Sequence, residues 1–368
     1  MNMVSNNQGE QKRVAILLEH GVEDAEFQIP YKALKMAGID VVVLGSRTNE
    51  DYKGKQGKVS LKADATTTEA SAEEFDAVII PGGMAPDQMR VNPNTVQFVR
   101  SAMQQGKLIA AVCHGPQVLI EGDLLKGKNA TGFRAIRKDM QNAGAHYINE
   151  PLVIDGNLIT SRQPSDLAIF TTAILSRLGY GGKEAALPDE SDTNAEWWKL
   201  ADAWGGSTKG EILSAINTAL GGERYSHEAF QHYAEKTSDV EVRRLLQEIV
   251  QNKQHHIQML EARLNELGEK PSLPAKAADT LAKLQTSLQG SDEMAMMRRA
   301  LGDIQTGVVD VYNLMLKLTD PVTVRLLTQI EADLSEYERR FAELYRQRFA
   351  GAITKPAKPS TGAAVTAA

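Results

Sequence analysis

Apolar residues follow two different rhythms along this chain. From Arg13 to about Gly182 they come as short continuous runs: Arg13–Leu18 (RVAILL), Asp40–Leu44 (DVVVL), Phe75–Gly83 (FDAVIIPGG) and Leu108–Val112 within KLIAAVCHG. Continuous Val/Ile/Leu runs separated by helical stretches, such as the one from about Asp24 to Ala37, predict a parallel sheet covered on both faces. LVIDGNLITS (Leu152–Ser161) departs from this. Its two runs around Asp155-Gly156 predict an antiparallel hairpin with a type I′ turn. A helix over Ser165–Leu178 then closes the region near Gly182. From Thr208 to Ala350 there is no strand signal. Apolar positions recur there at three- and four-residue steps, broken near Thr237–Asp239, Lys270–Pro274 and Thr319–Pro321. Four long helices in two hairpins, a four-helix bundle, are expected.

The resulting order is a polar tail (1–12), an α/β domain (13–182), an acidic linker (183–207), a helical bundle (208–350) and a second tail (351–368). The second tail is poor in bulky apolar residues and is expected to be disordered. The linker holds all three tryptophans, Trp197, Trp198 and Trp204, and one short amphipathic helix. These indoles are expected to dock the two domains together rather than to bind a ligand.

Composition narrows the class of function. With 42% hydrophobic and 24% charged residues, the chain of 368 residues has a globular balance. A net charge of −6 gives no electrostatic reason to expect nucleic acid or an anionic membrane as partner. No apolar run reaches the length of a membrane span, and MNMVSNNQGEQKR lacks the apolar core of a secretion signal. One cysteine cannot form an intrachain disulfide, so a reducing, cytoplasmic setting is expected.

That cysteine, Cys113, stands between the run ending at Val112 and a helix expected from Gln117, and it is followed by His114, Gly115 and Pro116. In open parallel sheets, reactive groups collect at the carboxyl ends of strands, where helix amides are free. A residue on such a corner is pushed out of the sheet, and the helix dipole should lower its thiol pKa below the ordinary value of about 8.5. Gly115 allows close backbone approach, and Pro116 suits a first helical turn. A lone cysteine is also commonly a small buried hydrophobe, and spacing alone does not choose between the two. EHGVEDAEFQIP (Glu19–Pro30) adds a second feature, because Glu23 lies at the same strand-end edge. A carboxyl held near a thiolate in a poorly hydrated pocket should be protonated and donate to the sulfur.

EHGVEDAEFQIP, FDAVIIPGGMAPDQMR, GKLIAAVCHGPQVLI, LLKGKNATGF and LVIDGNLITSRQPSDL resemble, in this order, blocks of the PfpI family. That family comprises intracellular proteases and stress proteins of the superfamily that includes the parkinsonism-associated deglycase. The resemblance covers about Lys12 to Tyr180 and implies a flavodoxin-like α/β sandwich. It implies Cys113 as nucleophile, His114 as adjacent base or hydrogen-bond partner, and Glu23 as the carboxyl bonded to the thiol. Backbone around Gly82 and Gly83, with Gly115 and the His114 amide, is implied as the substrate and oxyanion site. It also implies a homo-oligomer. One departure bears on activity: family proteases orient the histidine with an acid from a neighbouring subunit, and here Pro93 stands at the aligned place. Peptide hydrolysis needs an oriented histidine to protonate a poor leaving group, whereas thiolate addition to an aldehyde needs less.

The second region resembles the ferritin-like superfamily over about Gly210–Arg346. Its second helix carries Leu246, Ile249, Lys253, His256, Leu260, Leu264 and Leu267 on one stripe. Di-iron bundles use a Glu from each of two helices and a Glu-x-x-His from the other two. This chain offers Asn252-x-x-His255 and Asp333-x-x-Glu336, with Glu223 and Glu228 in the first helix and Asp303 and Asp310 in the third. Too few pairs are intact, so no metal and no cofactor is expected, and the bundle is read as structural. The leading expectation is a cysteine-dependent stress-response enzyme acting on small reactive carbonyls or glycated protein. A cysteine peptidase, and a non-catalytic redox sensor or holdase, are the alternatives.

Overall fold

The computed structural model describes residues 11–180, 187–192, 195–271 and 292–349. The expectations for residues 1–10 and 350–368, and for the break at Pro274, lie outside them. The strands in chain order are β1 (Arg13–Leu17), β2 (Asp40–Gly45), β3 (Tyr52–Lys53), β4 (Ser60–Leu61), β5 (Ala65–Thr66), β6 (Ala77–Ile80), β7 (Leu108–Val112), β8 (Asn129–Ala130), β9 (His146–Tyr147), β10 (Leu152–Asp155) and β11 (Leu158–Ser161). Seven of them form one sheet in the order β10-β11-β7-β6-β1-β2-β5. Every pairing is parallel except β10 with β11.

The continuous apolar runs become the middle of this sheet because both of its faces are covered. Val14, Ala15 and Ile16 of β1, Val78 and Ile79 of β6, and Ile109 to Val112 of β7 are all fully buried. Burial of a Val, Leu or Ile side chain contributes about 1.5–3 kcal/mol, so a polar residue at any of these places would be costly. In register, Ile16 lies beside Ile79, and Ile79 and Ile80 lie beside Ala110 and Ala111. The loops that leave β1, β6 and β7 therefore emerge on one edge. The chain winds outward one way from β1 to β2 and the other way from β6 to β7, so this edge includes the point where strand order reverses. Open α/β sheets bind ligands at such a point.

The hairpin differs in detail from the sequence expectation. Asp155 pairs with Leu158, which leaves Gly156 and Asn157 as the two loop residues. Only Gly156 (φ 62°) has a positive φ, the signature of a type II′ turn with glycine first rather than type I′. The short pairs β3–β4 and β8–β9 had no apolar run to reveal them. Seven helices accompany the sheet: α1 (Asp24–Met36), α2 (Ala85–Val91), α3 (Pro93–Gln104), α4 (Pro116–Glu121), α5 (Arg137–Asn142), α6 (Leu167–Arg177) and α7 (Trp197–Ala203). Trp197 packs against Ala168 of α6 within the same unit, so this indole serves the α/β unit's own core.

The second unit contains α8 (Lys209–Lys236), α9 (Val240–Glu266), α10 (Glu293–Met315) and α11 (Pro321–Arg348). Phe230, Tyr233, Leu246, Ile249, Met297, Ile304 and Phe341 form much of its apolar core. The turn between α8 and α9 is fixed by Asp239, whose carboxylate caps α9 by accepting the N–H groups of Glu241 and Val242. Arg348 of α11 donates to the same carboxylate at 2.7 Å. Asp239→Ala should lower the stability of the helical unit by about 1–2 kcal/mol, a typical loss for a capping side chain. Asp239→Asn, which keeps the cap and loses the ion pair, should cost less. Urea unfolding followed by far-ultraviolet circular dichroism distinguishes them, and equal losses would assign the effect to the ion pair.

Candidate active site

Cys113 leaves β7 with φ 60°, a left-handed conformation that non-glycine residues seldom adopt. The strain is held from both sides. The Cys113 N–H donates to Ser161 O on β11 at 3.0 Å, and its carbonyl accepts the Phe133 N–H at 2.9 Å. Gly115 N–H closes the corner onto Val112 O at 2.8 Å. Glycine is required there, because a Cβ on Gly115 would lie 2.3 Å from Ile80 O. Pro116 opens α4, as expected. The side chain, however, is not pushed into solvent: Cys113 is only 6% exposed.

The carboxyl beside the sulfur belongs to Glu26, not Glu23. Glu23 caps the start of α1, and its side chain turns away to accept from Gln56 Nε2 at 2.7 Å, with Lys55 Nζ 3.6 Å distant. One turn later, Glu26 points inward and is completely buried. Its Oε2 accepts the Gly82 N–H at 2.7 Å, while Oε1 has no nitrogen or oxygen partner. The sulfur shares that pocket closely enough for the two groups to alter each other's proton affinity. The sequence did hold a signal. Glu26 stands three and four residues before Ile29 and Pro30, on the stripe that continues to Ala33 and Leu34 and is buried throughout. An acid on the apolar stripe of a helix calls for a buried partner.

Burial first, and the Glu23 charge next, raise the Glu26 carboxyl to about 8. Burial and then Glu26 hold the Cys113 thiol well above its ordinary value, opposite to the expectation drawn from the helix dipole. Desolvation outweighs the dipole because α4 has only six residues and the sulfur has little contact with water. Sulfur and carboxyl compete for protons as one coupled pair. When Glu26 holds its proton it adds no negative charge against the sulfur; when ionised it draws the thiol proton toward itself and holds the thiol up. The Gly83 and His114 N–H groups also face the sulfur and favour its anion.

His114 Nδ1 lies 3.3 Å from Cys113 Sγ, and its ring rests on Phe133 with centroids 5.0 Å apart. Burial lowers its pKa, so the ring is neutral near pH 7. The Asp87 carboxylate of α2 acts on it only through charge and is itself paired with Arg90 at 2.7 Å. Pro93 begins α3 and offers the ring nothing. Among the predicted backbone groups, the amides of Gly83 and His114 are the ones aimed at the reactive atom. Gly82 N–H is taken by Glu26 and Gly115 N–H by the turn, so neither is available to a substrate oxygen. Both glycines are needed for space: a Cβ on Gly82 would come within 2.8 Å of Cys113 Cβ. Gly83 (φ 75°) bridges to Val22 and so joins the β6 loop to the β1 loop.

The domain that carries this site is similar to known proteins. The profile of the DJ-1/PfpI family matches residues 12–177. Two Bacillus subtilis proteins, "Putative cysteine protease YraA" and "General stress protein 18", are 41% and 40% identical over 167 and 168 residues. Each alignment covers 45% of this chain and 98% of the relative. The chain belongs to the DJ-1/PfpI family. A profile described as a domain of unknown function (DUF2383) matches residues 211–315. The crystal structure of a two-domain protein with DJ-1/ThiJ/PfpI-like and ferritin-like domains, from Anabaena variabilis, is 64% identical with a TM-score of 0.85. It covers 96% of this chain and 100% of its own. A DJ-1/PfpI domain followed by a ferritin-like domain is thus the architecture of this member.

Two measurements test the assignment of Glu26. Glu26→Gln removes the charge that pushes the thiol up, yet keeps an acceptor for Gly82 and an N–H for the sulfur. The pH midpoint of Cys113 alkylation should fall by about one unit or more, where each unit corresponds to about 1.4 kcal/mol. Glu23→Leu should move it much less, and the reverse pattern would return the role to Glu23. Stability gives the second test. Above pH 4.5 the unfolded carboxyl has lost its proton, while folded Glu26 keeps one to about pH 8. Wild-type stability should therefore decline as pH rises through this window, and Glu26→Gln should lack that part of the slope.

Proposed function

We propose that the DJ-1/PfpI domain is a cysteine-dependent enzyme acting on small reactive carbonyls, of the glyoxalase or deglycase type, in a reducing, cytoplasmic setting. The observation that carries this reading is Glu26, a buried carboxyl whose proton is held to about pH 8 beside the thiol. A group of that strength both gives and takes a proton near neutrality, which carbonyl chemistry requires.

In the proposed reaction, His114 accepts the thiol proton on Nδ1 while its other proton remains on Nε2, and the sulfur attacks the aldehyde carbon. The C=O electron pair moves onto oxygen, where the Gly83 and His114 amides stabilise the charge. Glu26 protonates that oxygen and becomes a carboxylate. With a 2-oxoaldehyde, this carboxylate then removes the proton from the former aldehyde carbon and delivers it to the neighbouring carbon, while the hydroxyl proton passes from the first oxygen to the second. One carbon is oxidised and its neighbour reduced, so no external oxidant is needed. Water cleaves the resulting thioester, releasing a 2-hydroxy acid and restoring the thiol, and the proton held by His114 returns to Glu26. Adducts of the same aldehydes on protein side chains are substrates of the same class. A peptidase reading rests on the name of one relative, but among the described residues no carboxylate is hydrogen-bonded to His114 to support its imidazolium form.

Purified protein mixed with methylglyoxal should consume it and form lactate. Cys113→Ser should abolish turnover, and Glu26→Gln should reduce it by about 10²-fold or more, as loss of a general acid–base does. Full activity in Cys113→Ser would end the proposal. Wild-type protein that cleaves peptides but leaves methylglyoxal intact would establish the peptidase reading. Loss of the alkylatable thiol to peroxide, with no turnover of either substrate, would make the domain a redox sensor.

A further inference from the structure

Among the described residues of the ferritin-like unit, α8, α9, α10 and α11 share a second polar cluster that is buried at its centre. Glu223 comes from α8, Lys253 and His256 from α9, Asp303 from α10 and Asp333 from α11. Lys253 Nζ lies 2.9 Å from Glu223 Oε1, and His256 Nδ1 lies 2.9 Å from Glu223 Oε2. The other ring nitrogen, Nε2, faces Asp333 Oδ2 at 3.0 Å. Asn252 Nδ2 reaches the same Asp333 oxygen at 3.4 Å. Asp303 accepts the Tyr233 O–H at 2.7 Å and also lies within the field of Lys253. Glu223, Lys253 and His256 are 4%, 2% and 0% exposed. These three are shielded from water, while Asp303 and Asp333 at the edge of the cluster are half-buried.

The ferritin-like fold raises the question of a di-iron centre, which uses a Glu from each of two helices and a Glu-x-x-His from the other two. The sequence placed the remnant of one such pair at Asn252 and His255 and another at Asp333 and Glu336. The first is displaced by one residue: His255 is exposed, and the inward pair is Lys253-x-x-His256. Glu336 is exposed on Arg339, and Glu228 and Asp310 are exposed as well. The inward residues do not fit a metal, because an ammonium group stands where α9 would supply a carboxylate. A lysine ammonium is a donor only and cannot ligate. Among the described residues, no group of three or more His, Cys, Asp or Glu is placed to hold an ion.

We propose that the Lys253 ammonium occupies the cation position of this cluster, so that the bundle carries its counter-charge covalently and divalent metal is shut out by that side chain. Carboxylates from different helices meet in a dry core only if a cation lies among them. A metal ion supplies that charge in iron-binding bundles. Here one side chain supplies it from within the chain, and the unit's folding is independent of metal supply.

The test uses the full-length protein with Co²⁺ and Mn²⁺, read by equilibrium dialysis, visible absorption and thermal unfolding of the helical signal. Wild type should bind neither ion stoichiometrically and show no rise in Tm. Lys253→Glu places a carboxylate three residues before His256. In metal-free buffer it should unfold at lower temperature than wild type. With Co²⁺ it should bind about one equivalent, develop ligand-field bands and recover Tm in a dose-dependent way, because a ligand of the folded state stabilises by mass action. Adding Glu223→Gln to that variant should abolish the gain. Should Lys253→Glu not fold with or without metal, the nearly isosteric Lys253→Met carries the test, and a Co²⁺-dependent rise in its Tm is expected. Stoichiometric Co²⁺ in wild type, or a folded variant with no gain, would overturn the proposal.

Discussion

The backbone of one residue organises the α/β domain. Cys113 is held in a left-handed conformation that is unfavourable for any residue with a Cβ, by about 1–3 kcal/mol. It persists because β11 and the segment at Phe133 grip its amide and carbonyl from opposite sides. That grip turns the sulfur back over the end of the sheet, toward the Gly83 amide and the Glu26 carboxyl, instead of along the strand. Much else follows from the resulting crowding. Gly82 and Gly115 are there because no side chain fits, and Glu26 holds its proton because its carboxyl is fully buried and lies near the Glu23 charge.

What could be read from the sequence depended on whether a signal was local. The middle strands β1, β2, β6 and β7 were legible because burial on both faces writes itself as unbroken Val/Ile/Leu runs. The corner was legible because Cys-His-Gly-Pro combines a reactive residue with the two residues that permit a tight strand-to-helix turn. Which carboxyl meets the sulfur could not be read from charge, since Glu23 and Glu26 are one helical turn apart; only the place of Glu26 on the apolar stripe of α1 separates them. The direction of the thiol's shift was also misread. A helix dipole can be inferred from a chain, whereas the desolvation that overrides it comes from packing among three distant loops. In the bundle, the apolar stripe of α9 already placed Lys253 and His256 inward, whereas the search for a Glu-x-x-His spacing fell one residue away, on Asn252 and His255.

The two units meet the same physical difficulty with different means. Each buries ionisable groups among its packed elements. In the α/β domain the charge is suppressed, since Glu26 remains protonated and Cys113 remains a thiol until a reaction moves the proton. In the bundle the charge is retained and matched, with Lys253 set against Glu223 and His256 hydrogen-bonded between Glu223 and Asp333. A suppressed charge is poised to move; a matched one is fixed. The first arrangement suits turnover and the second suits a scaffold.

The grip on Cys113 also governs the life of the thiol before the protein is folded. Its amide is tied to Ser161, which lies 48 positions further along the chain, and its carboxyl neighbour lies far upstream at Glu26. While the domain is being synthesised, the cysteine is therefore an ordinary solvated thiol, more acidic than in the finished structure and open to any electrophile nearby. Closure of β11 onto β7 withdraws it from general reactivity and places its proton under the control of one carboxyl. Maturation of the chain thus protects the sulfur and selects its chemistry in the same event.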